Sequence, residues 1–475
     1  MNPNLNPINV QLLIVFGLYV LGSWWVGRLM TILLKNDELA PATSFIIGPA
    51  VLALQLWLYG VIHVHWSIYT LLLPWLAVTA VYLLQSSFRR PRWWRPRLRF
   101  NPINLLLTLL TGITVAGGYI RVLTQPLVTW DAVAMWVYKA RLFAASQSVN
   151  LTLIAHDPSR HLDYPPLFPL MMDSVGTIVV GLDHQLAGYD FIYLKAIDFN
   201  FYLAGVVGVY LFVKQLGGRR VGLVGSYLLA SLIFFIPDLF NDQYLGYADF
   251  CFAITLMFVV IYSYRAGKRR SLAEAWWVMV LAVMAALIKN EGDGVLVAAL
   301  FVILSLWGRR PVTRAKRLWR GAIGLITLAP LLAWKVIAAR HHYQSDLLTT
   351  HNVVTGLQHL PDRLDIIANY TATAVITQPS LSLLAVSYAA AWYAAARFQS
   401  RALITAIGVV TVELGFYVFA YVITPYPLVS FMDDSFGRLV LQVAPSIVLL
   451  VLVALCQGSR RHSDLKRPPV TDKLN

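Results

Sequence analysis

The chain has 475 residues, 58% of them hydrophobic and 13% charged, and its mean hydropathy is +0.64. A soluble domain carries roughly 25% charged residues, so that class is excluded. The net charge of +15 does not point to nucleic acid, because the basic residues sit in short loops between apolar runs, the pattern of membrane orientation.

Apolar runs long enough to cross a bilayer of roughly 30 Å recur from end to end. Lipid admits only helices and closed barrels, and a barrel would show alternating segments of about ten residues. The expected fold is therefore all-α, a polytopic membrane helix bundle. No Lys or Arg precedes Arg28, so the first run lacks the basic flank of a cleaved signal peptide and reads as a retained span. In chain order the spans are predicted at 9–34, 44–64, 65–86, 102–122, 186–214, 220–237, 246–264, 273–290, 293–308, 319–339, 379–396, 402–424 and 435–456, thirteen in all. Residues 165–182 form a shorter apolar stretch broken by Asp173, read as an interfacial helix. The resulting organisation is a four-helix membrane segment at 1–122 and an external loop with interfacial helices at 123–185. A helix bundle at 186–456 and a basic, flexible cytoplasmic tail at 457–475 follow. Helices 1–3 carry little chemistry and read as a scaffold added to a ten-span core. Cys251 and Cys456 lie in apolar segments near opposite ends of the bundle, with no disulfide or metal spacing.

Charge sets the orientation. With the loop carrying Arg89, Arg90, Arg92, Arg95, Arg97 and Arg99 in the cytoplasm, alternation puts 27 of the 38 Lys and Arg on that side and 17 of the 23 acidic residues on the outer side. The amino terminus is then outside and the carboxyl terminus inside. Four outer segments are large or polar: 123–185, 238–249, 340–378 and 425–437.

These segments hold the candidate chemistry. Asp131, within Trp130-Asp131-Ala132, opens a helical pattern over 132–145 in which Trp136, Lys139 and Arg141 alternate with apolar residues. Such a helix would lie flat at the interface with its cations near lipid phosphates. Asp131 is either its N-cap or a catalytic base. Tyr164-Pro165-Pro166-Leu167-Phe168-Pro169 is a rigid return into the membrane or a proline-rich helix start. Gly246-Tyr247-Ala248-Asp249, preceded by Asn241 and Asp242, and Lys289-Asn290-Glu291-Gly292 put further ionisable groups at outer span ends. There they serve function or form a structural pair, Lys289 with Asp249. Arg438, after Asp433 and Asp434, stands on the outer side against the charge bias. It suits bidentate binding of a phosphate, or a salt bridge to Asp433 or Asp434.

Other residues carry weaker signals. His341, His342 and His351 lack carboxylate spacing for a metal, and His156 and His161 flank the acidic loop, where they either shuttle protons or, as lone loop histidines more often are, stand solvated. Asn150 and Asn369 begin chance sequons. Asp198, Lys195 and Glu413 lie within spans and are expected to pair inside the bundle.

Taken in order, Trp-Asp-Ala…Trp…Lys-Ala, Tyr-Pro-Pro-Leu, Gly-Tyr-Ala-Asp, Lys-Asn-Glu-Gly and Thr-Pro…Arg resemble the GT-C superfamily of integral membrane glycosyltransferases, nearest the bacterial protein-mannosyltransferase-like branch. The motifs span residues 130–438. The resemblance implies a sugar donor on a polyprenyl phosphate and inverting transfer to an acceptor on the outer face, with Asp131 as general base. Lys139, Arg141, Tyr164, Asp249, Lys289, Glu291 and Arg438 would bind substrate. Two departures stand out: four spans precede the acidic loop, and Asp131 has no acidic neighbour. Since the opening loop also lacks a paired-carboxylate motif, metal-independent catalysis is expected. Expected partners are the lipid-linked donor and membrane lipids, in a multi-pass protein of the cell membrane.

The alternative is a transporter or flippase of a lipid-linked or small polar solute, which predicts charged or broken helices at the bilayer midplane. The ionisable residues concentrate at outer span ends instead.

Overall fold

The computed structural model describes residues 10–34, 38–85, 101–124, 127, 129–154, 161–182, 192–235, 246–307, 314–343, 345 and 347–465. Among them the secondary structure is entirely helical. The amino-terminal helices are α1 (Val10–Leu33), α2 (Ala40–Val61), α3 (Ile68–Gln85) and α4 (Pro102–Thr124). A seven-residue π-helix (Asp131–Val137) runs directly into α5 (Tyr138–Ser146), and α6 (Leu167–Leu182) follows. The main bundle comprises α7 (Ala196–Gly217), α8 (Arg219–Phe235), α9 (Ala248–Arg269), α10 (Leu272–Ile288), α11 (Gly292–Trp307) and α12 (Arg314–Arg340). Its last members are α13 (Thr350–Gln358), α14 (Leu360–Thr377), α15 (Pro379–Arg397), α16 (Arg401–Ile423) and α17 (Leu428–Leu465).

Every predicted span coincides with a helix, but span status is less uniform than thirteen. Among the described residues nine helices are long and apolar enough to cross a membrane by themselves, or ten if α14 and α15 count as one bent span. Helices α10 and α11 are shorter. Helix α17 continues past Gln457 to Leu465, so the predicted tail begins as helix. The outer segment 340–378, read only as polar, folds into α13 and α14.

Helix α9 is the hub, almost wholly buried and packed against α7, α10, α11, α16 and α17. Helices α3, α4 and α12 are peripheral and turn Leu73, Leu105, Ile113 and Ile326 outward, as lipid-facing helices do. Pro49, Pro74, Pro330 and Pro445 lie inside helices, tolerated where neighbouring helices re-satisfy the freed backbone groups. Helices α1 and α2 cross backbone to backbone. A Cβ on Gly48 would come 1.8 Å from the Ser23 carbonyl oxygen, so only a residue without a side chain fits. This pair joins the core through Tyr19, whose hydroxyl meets Ser174 Oγ at 3.0 Å, and through Asn200, which donates to Ser23 Oγ at 2.8 Å.

Two breaks shape one end of the bundle. Gln378, preceding Pro379, is extended (φ −112°, ψ 110°), as a residue before proline prefers, and α14 and α15 meet at a 107° bend. Arg363 of α14 donates from Nη1 to the carbonyls of Val422 and Thr424, each at 2.8 Å. It thereby satisfies orphan acceptors at the end of α16. These contacts fix the turn that leads into α17 and toward Arg438.

Candidate active site

The site is assembled from three distant helix ends and the interior of α17. Asp131 is the first residue of the π-helix, and its carboxylate caps no backbone group: the cap position is Trp130, with no side-chain cap bond. Instead Asp131 Oδ2 accepts from Arg438 Nη1 of α17 at 2.8 Å. Arg438 Nη2 reaches Asp249 Oδ2 of α9 at 3.4 Å, and its guanidinium lies 4.9 Å from the Tyr247 ring centroid. Lys289, at the end of α10, completes the chain, with Nζ 2.8 Å from Asp249 Oδ1 and 2.7 Å from Glu291 Oε1. Charges thus alternate Asp131–Arg438–Asp249–Lys289–Glu291. Asp249 is fully buried and also accepts from Gln442 Nε2 at 2.6 Å, so its charge is compensated by two cations and an amide. Burial of a carboxylate is sustained only with such partners.

Local backbone explains the convergence. Gly246 has φ +81°, a left-handed conformation in which side chains are strained, and a Cβ there would lie 2.5 Å from Leu127 Cδ2. Its N–H donates to Asp198 Oδ2 at 2.9 Å. This turn starts α9 with Tyr247 beneath Arg438 and Asp249 facing inward. The π-helix is a geometry that concentrates at functional sites, and here it ends with Met135, Trp136 and Val137 buried.

The network borders a cavity of about 180 Å³. Its polar wall is Asp131, His161, Asp163, Tyr164, Lys289, Asn290, Glu291 and Arg438. Its apolar wall comes from α16 and the start of α17, including Phe416, Phe419, Ala420, Tyr421, Phe431 and Leu439. Asn290 Nδ2 donates to Asp163 Oδ2 at 2.6 Å and thereby ties the first outer loop to the α10–α11 turn. Asp163 was not singled out in the sequence, and Asn290 was named there only as part of the Lys289-Asn290-Glu291-Gly292 cluster. The apolar wall was equally hidden, because its residues look like ordinary span residues.

Six of the eight residues named from the sequence, Asp131, Tyr164, Asp249, Lys289, Glu291 and Arg438, meet in this network or on this cavity wall. Lys139 and Arg141 do not line it. Lys139 turns away from lipid into the protein, 1% exposed, donating to the His161 carbonyl at 2.5 Å between the rings of Trp136 and Tyr164. The expectation that this cation faces lipid phosphates is corrected: its stem packs well between two aromatics, and a carbonyl is at hand for the amine. Burial lowers the Lys139 amine to about 7, partly countered by Asp163. Burial likewise raises the Tyr164 phenol well above its ordinary value, keeping it a donor. Arg141 is exposed and borders a different cavity.

The remaining alternatives resolve as follows. Lys289 pairs with Asp249, as one reading held. Arg438 takes Asp131 and Asp249 rather than Asp433, which accepts instead from Tyr370. Asp198 is held inside the bundle by Gly246 and by Cys251 Sγ at 3.7 Å. Glu413 is buried beside Gly294 without an ion partner among the described residues, which corrects the expected pairing. His161, expected to be solvated, lines the cavity. Asn241, Asp242 and His156 lie outside the described residues. Among the described residues no group of three His, Cys, Asp or Glu could hold a metal ion.

A bundle of membrane-length helices with an ionic site at the helix ends defines the class as a multi-pass membrane protein with a buried, cation-containing pocket. Residues 179–334, roughly a third of the chain, match the family model described as dolichyl-phosphate-mannose-protein mannosyltransferase, so that stretch is similar to a family of membrane glycosyltransferases. The matched stretch contains Asp249, Lys289 and Glu291 but neither Asp131 nor Arg438. No curated protein and no solved structure matches the chain.

Proposed function

We propose that the protein transfers a sugar from a polyprenyl-phosphate donor to an acceptor hydroxyl on the outer face of the cell membrane, with inversion and without a metal. The observation that carries this reading is the pairing of Asp131 with Arg438 at the mouth of a cavity that is ionic at one end and apolar at the other. A lipid-linked donor has the same two-part chemistry. Its phosphate seeks cations, and its isoprenoid seeks a groove such as that of Phe416, Phe419 and Leu439.

Asp131 is the base in this reading. One carboxylate oxygen is held by Arg438, and the other is left to take the acceptor's hydroxyl proton. The acceptor oxygen then bonds to the anomeric carbon as the bond from that carbon to the phosphate oxygen breaks. The electron pair leaves on the lipid phosphate, which needs no protein acid. Arg438 has a donor to spare for it: Nε has no hydrogen-bond partner among the described residues. Asp249 and Gln442 are positioning residues, Asp249 holding Arg438 and Lys289 and Gln442 bonded to Asp249. Preorganised donors of this kind act where charge develops. The inner carboxylates are already balanced by Arg438 and Lys289, which supports a site that works without a metal.

The test is to incubate purified protein in lipid with a panel of polyprenyl-phosphate sugars and follow donor consumption. The wild type should consume one of them, and Asp131→Asn should bind it but turn it over on the order of 10²–10⁴-fold more slowly. Wild-type turnover in the Asp131→Asn protein would remove Asp131 from the mechanism.

A further inference from the structure

A second cavity, of about 490 Å³, lies across the 131–146 helix from the first. Asp131 and Met135 face one cavity, and Ala140, Arg141 and Ala144 border the other. On the same helix Trp136 packs on Tyr164 at 5.5 Å and on Phe168 at 5.3 Å between centroids. The far side of the second cavity is built by the turn between α2 and α3, by α6, and by Tyr193. Trp66 of that turn is tied to α5 through its backbone N–H, which donates to Gln147 Oε1 at 3.3 Å. The amino-terminal helices therefore supply part of a pocket, a role beyond that of a scaffold.

Two polar groups in this wall are buried and without a hydrogen-bond partner among the described residues. Asp173 Oδ2 belongs to a side chain 5% exposed, and Trp66 Nε1 to one 7% exposed. Burial raises the Asp173 carboxyl well above its ordinary range, so it can donate as well as accept, whereas the indole can only donate. Buried polar groups are otherwise nearly always satisfied, so an orphaned pair lining one cavity calls for a ligand. A sugar answers both, because each of its several hydroxyls can donate and accept. Arg141 brings a positive charge to the wall, which disfavours an ammonium, and the buried Asp173 carboxyl adds hydrogen-bonding capacity rather than a fixed negative charge. The volume falls within the roughly 300–1,000 Å³ of small-molecule sites.

We propose that this second cavity is a saccharide subsite, where a non-reacting sugar unit of the acceptor gives its hydroxyls to Asp173 and Trp66 while the unit to be modified reaches Asp131. The acceptor role rests on the glycosyl-transfer reading, whereas the binding chemistry does not.

The experiment is saturation-transfer NMR on the full-length protein in lipid nanodiscs, with methyl mannoside and methyl glucoside as probes and ethanolamine and methyl phosphate as charged controls. A glycoside should receive saturation from the wild type. The signal should fall about tenfold or more in Asp173→Leu, which leaves no hydrogen-bonding group at that position. It should fall likewise in Ala144→Trp, where a ring at an exposed position blocks the pocket without disturbing the core. Asp131→Asn should keep it. The subsite is overturned if no glycoside is saturated, if the signal survives either substitution, or if a charged control is the molecule that both substitutions abolish. Failure of the wild type to consume any lipid donor would sink the transferase reading while leaving glycoside binding standing.

Discussion

Arg438 is the residue on which the site turns, because it bridges the outer loop and the buried carboxylate of α9. Replacing it with Met should lower donor turnover about 10²–10³-fold, the cost of losing a preorganised charge, measured in the same donor-consumption assay. Asp249 acts differently. Asp249→Asn removes the only charge shared by Arg438 and Lys289, and breaking a buried pair from one side costs about 3–5 kcal/mol. A clearly lower thermal unfolding midpoint in detergent is expected, and an unchanged midpoint would show that Glu291 alone suffices for Lys289. Lys139 offers a pH signature. Its folded pKa, lowered by burial to about 7, lies below the ordinary 10.5 of the unfolded chain. Between those values the unfolded state binds the extra proton, so stability rises with pH across that window and is lost as pH falls toward 7. Relative to Lys139→Met, the wild-type unfolding midpoint should therefore climb between pH 7 and pH 10. A parallel pH course in the two proteins would mean the amine stays charged.

At the scale of elements, close backbone crossings decide how the amino-terminal helices meet the rest. Gly48 allows α2 to lie on Ser23 of α1, whereas a Cβ on Gly408 of α16 would meet nothing within 4 Å. Gly48→Val should part α1 from α2, making the protein more sensitive to protease and lowering its unfolding midpoint. Gly408→Ala, the control, should do neither. The α14–α15 bend was partly legible, since Gln378-Pro379 is a helix boundary in any sequence. Helices α13 and α14 were not. Their stretch is polar enough to read as loop, and they are stabilised by docking: Arg363 onto the end of α16, and Gly356 against the Val422 carbonyl.

For the whole molecule, the orientation expected from the basic residues, amino terminus outside and carboxyl terminus in the cytoplasm, is open to a direct test. Both native cysteines are buried, Cys251 fully and Cys456 at 4% exposure, so an introduced cysteine can be read against a silent background. Tyr426→Cys, at the site end of the bundle, should react with an impermeant maleimide in intact cells. Gln399→Cys, at the other end, should react only after permeabilisation. The reverse pattern would invert the molecule and put the site in the cytoplasm.

Span positions were readable from residue order because hydropathy over about 20 residues is a local property that lipid enforces on every helix alike. The clustering of Asp131, Asp249, Lys289 and Arg438 at one end was readable for a related reason, since charge avoids the bilayer middle. Partnership was not. Whether Arg438 chose Asp131 or its neighbour Asp433, and whether Lys139 faced lipid or a carbonyl, depended on helix rotation. So did the meeting of Trp66 with Asp173 around one cavity. Rotation is set by side-chain packing between segments up to 307 residues apart, and no local pattern encodes it.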